Sequence, residues 1–156
     1  MPSLKPLKRT EVPLWTAIIL KGQGKCNIIA PAWLSYSYLK KMYDQEKKNP
    51  EMFSNLPWNW LELSKILITK AADDLADSST QLCSIIKDLR EIRQLKSKRG
   101  LRELNESNIQ LNGLSLMELN ELRPFVLLVM GKMRQLHDSV STTDDKASDD
   151  ESDHEW

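Results

Sequence analysis

The sequence predicts a mainly α-helical protein: a short N-terminal β-hairpin, then a helical bundle, then a disordered acidic tail. Three observations carry this expectation. Two short β-prone runs, Glu11–Leu20 and Cys26–Ala30, flank a loop containing Gly22 and Gly24, the arrangement of a hairpin. From Pro31 the apolar residues change to helical spacing and keep it to about His137. The charge then splits at Ser139: residues 1–138 hold 21 Lys and Arg against 15 Asp and Glu, a charge of +6, and residues 139–156 hold 1 against 7, a charge of −6. These breaks divide the chain into a hairpin unit at 1–30, a helical unit at 31–138 and a tail at 139–156.

Within the helical unit each segment has its own start and stop signals. Pro31 to Lys48 carries Trp33, Leu34, Tyr38, Leu39 and Met42 at helical spacings and stops before Asn49-Pro50. A second helix is expected from Ser54–Pro57 to about Asp74, apolar over roughly half its circumference. A third, capped by Ser78 or Ser79, is expected to end near Lys98, with Leu82, Ile85, Ile86, Leu89 and Ile92 as its apolar seam. Ser115-Leu116-Met117-Glu118 has the spacing of a capping box and opens a short helix to about Leu122, after which Pro124 fits the first position of a new helix running to His137. That last segment leaves only a narrow polar sector around Gly131, Lys132 and Gln135, as expected of a helix covered on nearly all sides. A body of this size has little interior with which to surround it, and a subunit interface would supply the cover. The tail, with Val140, Ala147 and Trp156 as its apolar residues, is expected to lack structure, and Ser148 and Ser152 precede acids as acidophilic kinase sites do.

Composition narrows the function. With 156 residues, 40% hydrophobic and 28% charged, the chain suits one compact unit with an appendage. Its five Gly, seven Pro and two Cys do not fit collagen-like or disulfide-scaffold classes. It has no apolar run of the roughly 20 residues that span a bilayer and no apolar core of a secretory signal. A soluble intracellular protein with Cys26 and Cys83 as reduced thiols is expected. His137 and His154 are the only histidines, Gly22-Gln23-Gly24-Lys25 lacks Walker spacing, and Asp73-Asp74 reads as solvated charge. No catalytic residue, cofactor or metal is assigned, and the protein is not expected to be an enzyme.

Two features point instead to assembly. On a wheel of 100° per residue Arg93 falls inside the apolar seam of the third helix, with Lys96 at its edge. An Arg there either snorkels to water or pairs at a helix or subunit interface. Trp15, Trp33, Trp58 and Trp60 lie at element boundaries, where large aromatics dominate contact energy.

Glu11-Val-Pro-Leu-Trp15, Lys25-Cys26 with Ala30-Pro-Ala-Trp-Leu34, Leu56-Pro-Trp-Asn-Trp-Leu61, Asp88-Leu-Arg-Glu-Ile-Arg93 and Leu114-Ser-Leu-Met-Glu-Leu-Asn-Glu-Leu-Arg-Pro-Phe125 together resemble the second Psf-type subunit of the eukaryotic GINS complex. The blocks follow the family's order and cover residues 11 to about 137. The resemblance implies a heterotetramer with the other three GINS subunits, which joins the MCM ring and its activator in the replicative (CMG) helicase and recruits polymerase. It also implies a nuclear location, a role in starting and elongating replication, and no ATPase of its own. In that family a β-rich B domain precedes a helical A domain in this subunit type. The family's leading strands before the Glu11 block are shortened here to ten residues, so residues 1–30 read as a partial B domain.

On this reading the chain is a non-catalytic scaffold subunit. Trp58, Trp60, Phe125, Val126, Leu128, Val129 and Met133 form core and subunit interfaces, and Arg90, Arg93 and Arg123 are candidates for interfacial ion pairs. DNA would be met only indirectly or weakly, and no membrane is involved. Two alternatives stay open: a monomeric helical nucleic-acid binder using the +6 body, whose affinity would fall steeply with salt, and a carboxylate–metal enzyme.

Overall fold

The computed structural model describes residues 8–102 and 112–149, and every described element is helical. Five α-helices follow in order: α1 (Leu14–Gly22), α2 (Tyr36–Lys48), α3 (Trp60–Lys70), α4 (Ser79–Arg102) and α5 (Leu116–Asp149), with a 3₁₀ turn at Ala72–Asp74.

The expected N-terminal hairpin is replaced by a helix. An apolar run as short as Leu14–Leu20 does not separate helix from strand by period alone, and here Pro13 starts the helix, its carbonyl accepting from Ala17 N at 3.1 Å. The glycines close that helix rather than turning a hairpin. Gly24 takes φ +68°, its N–H bonds the Lys21 carbonyl at 2.9 Å, and Lys25 N reaches back to Leu20 at 3.0 Å, a Schellman stop. Cys26–Ala30 then runs on without a strand partner, and Ile28 N donates to Asp74 Oδ2 at 2.6 Å. Lys21 bridges Asp73 and Asp74 at 2.7 Å each; Asp73 is exposed, as expected of solvated charge, whereas Asp74 is largely covered and ties α1 and the segment after it to the 3₁₀ turn.

The bundle is built on α2 and α4, which run parallel. At their starts Tyr36 N donates to Asp77 Oδ2 at 2.8 Å, and further along both helices Glu46, near the end of α2, meets Arg93 of α4. Leu39 and Met42 of α2, Trp60, Leu61 and Leu67 of α3, and Leu82, Ile85 and Leu89 of α4 form the buried core, joined by Leu34. Ser35 caps α2 by accepting from Tyr38 N, so Pro31–Leu34 precede the helix. α3 is shorter than expected at both ends, because residues 54–59 form a separate linker and Ala71 opens the 3₁₀ turn. α4 carries on past Gly100 to Arg102.

The two helices expected on either side of Pro124 are one. α5 passes through Pro124, which lacks the N–H that would bond the Asn120 carbonyl; loss of one rung is tolerated inside a helix of 34 residues. The helix also continues past Ser139 to Asp149, so the change in charge there is not the change in structure expected of a disordered tail; residues 150–156 lie outside the described residues. At its start Glu118 Oε2 accepts from both Ser115 N and Ser115 Oγ at 2.8 Å, the reach-back half of the expected capping box.

Gly113, just before this cap, is required as glycine on two counts. Its φ is +83°, and a Cβ added there would lie 2.9 Å from Phe53 Cβ. Gly22, by contrast, has open space around it. Gly113→Ala is expected to lower the free energy of urea unfolding by about 2–4 kcal/mol, from left-handed strain plus displacement of Phe53. Gly22→Ala in the same assay should leave stability unchanged or raise it by about 0.5–1 kcal/mol.

Candidate subunit interface

α5 is fastened at one end. Leu116 N donates to the Trp58 carbonyl at 2.9 Å, Glu118 binds Arg93, and Glu121 receives Arg90 at 2.5 Å and Gln94 at 3.1 Å. Past this anchor several of its large apolar residues are exposed. Phe125, Leu127, Leu128, Leu136 and Val140 are 49%, 61%, 65%, 66% and 60% exposed. At 100° per residue Phe125, Leu136, Val129, Val140, Met133, Val126 and Met130 fall within one broad sector, with Leu127 and Leu128 outside it. Gly131 lies on the far side of the helix from the centre of this sector, and with Leu127, Met130, Met133, Arg134 and His137 it lines a shallow groove.

The candidates read from the sequence therefore separate. Phe125 and Leu128 are exposed, and Val126, Val129 and Met133 are half-buried, all on α5. Trp58 is exposed beside the start of α5, and Arg123 is exposed on it, with no ion pair among the described residues. Arg90 pairs with Glu121 within the chain. Trp60 and Arg93 have no exposed surface and so present nothing to a partner from this chain; they are interior groups. Leu127, Leu136 and Val140 belong with the exposed set but were passed over. The phase of the helix reaches Leu136 readily, whereas Val140 lies beyond the expected helix end.

Arg93 is the centre of a buried ion network. Its Nε and Nη2 grip Glu118 at 2.6 and 2.9 Å, its Nη1 reaches Glu46 at 2.7 Å and the Ser54 carbonyl at 3.3 Å, and Nη2 also donates to the Gly113 carbonyl at 2.6 Å. All five guanidinium N–H groups are thereby used. The Phe53 ring lies 4.8 Å from the guanidinium carbon. Lys96 adds the second cation: it bonds Glu46 Oε2, the Asn49 carbonyl at 2.6 Å and the Met52 carbonyl at 2.9 Å. Glu46 Oε1 also accepts from Ser54 N and Oγ at 2.8 and 2.7 Å. Two cations balance two carboxylates, and α2, α4, the 49–54 loop and the start of α5 are joined at one point.

Glu46 was not singled out from the sequence. It sits on the buried stripe of α2 with Leu39 and Met42, and a carboxylate on an apolar stripe is the partner that an arginine in an apolar seam requires.

Burial by itself pushes both carboxyl groups up. For Glu46 the hydrogen bonds from Lys96 and Ser54 and the charge of Arg93 outweigh this; for Glu118 the bonds and charge of Arg93 and the two bonds from Ser115 do so, and both end below the ordinary glutamate value of 4.5. Burial also works against the charge of Arg93, and Glu118 and Glu46 hold it above the ordinary arginine value. A carboxyl lowered in the folded state contributes stability that is complete above 4.5 and is lost as pH falls through its folded value. Unfolding free energy should therefore fall as pH is lowered below this point, and less steeply in Glu118→Gln. Arg93→Met, which leaves Glu118 without a cation and Glu46 with Lys96 alone, should cost about 3–5 kcal/mol at neutral pH in urea titrations, with Arg93→Lys recovering only part because it cannot grip Glu118 with two parallel bonds.

Among the described residues no group of three or more His, Cys, Asp or Glu is placed to hold a metal ion, and no helix is long and apolar enough to cross a membrane. Residues 33–137 match the family model described as the GINS complex protein helical bundle domain, and residues 1–29 match the PSF2 N-terminal domain. The chain is 60% identical over 153 residues to the DNA replication complex GINS protein PSF2 of Debaryomyces hansenii, covering 98% of this chain and 74% of that one. It is 58% identical over 159 residues to the protein of the same name from Candida albicans, covering 99% and 78%, and 48% identical over 136 residues to that of Saccharomyces cerevisiae, covering 87% and 64%. By these matches, and by the helical bundle described above, the chain belongs to the PSF2 family of GINS complex proteins.

Proposed function

We propose that the chain is a non-catalytic structural subunit of a GINS heterotetramer acting in chromosomal DNA replication in the nucleus, and that the exposed face of α5 is where the other three GINS subunits seat. The observation that carries this is the line Phe125, Leu136 and Val140, each about half exposed or more on a helix whose first turns are anchored to the bundle. An apolar sector of this length left in water is a mark of protein–protein contact. Val126, Val129 and Met133 complete it, Trp58 extends it at the anchored end, and Arg123 offers a cation at its rim. Contacts with the MCM helicase, its activator and a replicative polymerase follow from the same reading as properties of the assembled complex. DNA is then met only indirectly or weakly. In support, the relatives named above carry the words DNA replication complex in their names.

Co-expression with the other three GINS subunits, followed by size exclusion with light scattering, tests this. A 1:1:1:1 complex is expected. Val129→Asp and Leu136→Asp, each placing a charge in the covered sector, should weaken assembly by about 100-fold or more while leaving helix content unchanged by circular dichroism. A well-folded monomer that ignores the other subunits would sink the proposal.

A further inference from the structure

Asn112 and Gly113 form the turn that leads into α5, and Asn112 is exposed. Gly113 carries no Cβ to shield its backbone nitrogen from the side chain before it, and its left-handed φ and the closeness of Phe53 bar any other residue there. The turn is also joined to the buried network, since the Gly113 carbonyl accepts from Arg93 at 2.6 Å and the next two residues, Leu114 and Ser115, are buried.

We propose that Asn112 is a site of spontaneous deamidation and isoaspartate formation, and that the lesion loosens the anchor of α5 through the carbonyl of Gly113. In the first step the Gly113 nitrogen gives up its proton to a base in solution and attacks Asn112 Cγ. The N–Cγ bond forms, the Cγ–Nδ2 bond breaks, and ammonia leaves with the proton returned from solution. Water then opens the cyclic imide at either carbonyl, giving aspartate or isoaspartate, with no oxidant or reductant involved. In the isoaspartate product the main chain runs through Cβ and Cγ of residue 112, one carbon longer than before. The added length falls immediately ahead of a carbonyl held by Arg93 and a glycine packed on Phe53, so the lengthened chain cannot keep both.

The full-length chain, in whatever assembly it is purified, would be aged at mildly alkaline pH. Peptide mapping by mass spectrometry with enzymatic methylation of isoaspartate then reads each asparagine. Residue 112 is expected to convert on the order of ten-fold faster than Asn27, Asn55, Asn59 or Asn120, whose successors all carry a Cβ. Asn112→Gln should abolish the signal, and aged wild-type chain should unfold at lower urea than fresh chain while the aged variant does not. Conversion no faster than at the four reference asparagines would overturn the site. Conversion with an unchanged urea midpoint would overturn its link to the anchor. The readout is chemical and does not depend on the chain's assembly with other subunits.

Discussion

A guanidinium with no exposed surface, Arg93, stands in the apolar seam of α4, and the arrangement of the bundle follows from what that charge requires. Left alone it would cost several kcal/mol. It is satisfied by carboxylates from two other elements, Glu46 of α2 and Glu118 of α5, and by two loop carbonyls, those of Ser54 and Gly113. Apolar contacts tolerate sliding and repacking, whereas a planar fork on Glu118 does not. The network therefore sets the register of α2, α4 and the start of α5. Its contribution is to geometry more than to net stability, since buried ion pairs roughly break even against well-packed apolar groups.

The consequences run outward from that point. The 49–59 segment is long for a link between helices because it has work on both sides: Asn49 and Met52 supply carbonyls to Lys96, Phe53 covers Arg93, Ser54 donates to Glu46, and Trp58 receives Leu116. Gly113 must be glycine because its backbone approaches Phe53 where a side chain would stand. Glu118 serves two elements at once, closing the cap of α5 through Ser115 and holding Arg93 of α4. The helix it caps has 34 residues, about 50 Å at 1.5 Å per residue. A helix so long, fixed at one end, carries the orientation of its first turn to its far side chains.

Much of this was legible in the sequence. The seam Leu82–Ile85–Leu89, the misplaced Arg93 within it, the Ser115–Glu118 cap and the over-apolar stretch after Pro124 all follow from helical period and residue chemistry. The hidden parts are those that period does not encode. Leu14–Leu20 is too short to distinguish strand from helix, and Gly24 supplies a positive φ to either a hairpin or a helix stop. The latch of Lys21 on Asp73 and Asp74 joins residues about fifty positions apart, and no local pattern announces it. Pro124 marks a boundary on local rules, yet one missing rung does not end a long helix. Arg90, Arg93 and Arg123 look alike in sequence, and only the third dimension separates an intrachain pair, a buried hub and an exposed cation.

The placing of charge and apolar surface in this chain reverses the usual order at two linked sites. Four ionised groups occupy the junction of three helices, while a broad apolar sector lies outside on α5. The two facts depend on each other. Had α5 been fixed to the bundle by its own apolar side chains, that sector would have been consumed in the chain's interior. Fixing it through Glu118, Glu121 and the backbone of Leu116 uses polar groups of its first turns and leaves Phe125 and Leu136 exposed. A polar anchor is thus the physical condition for an apolar face held in a defined direction and available to another chain.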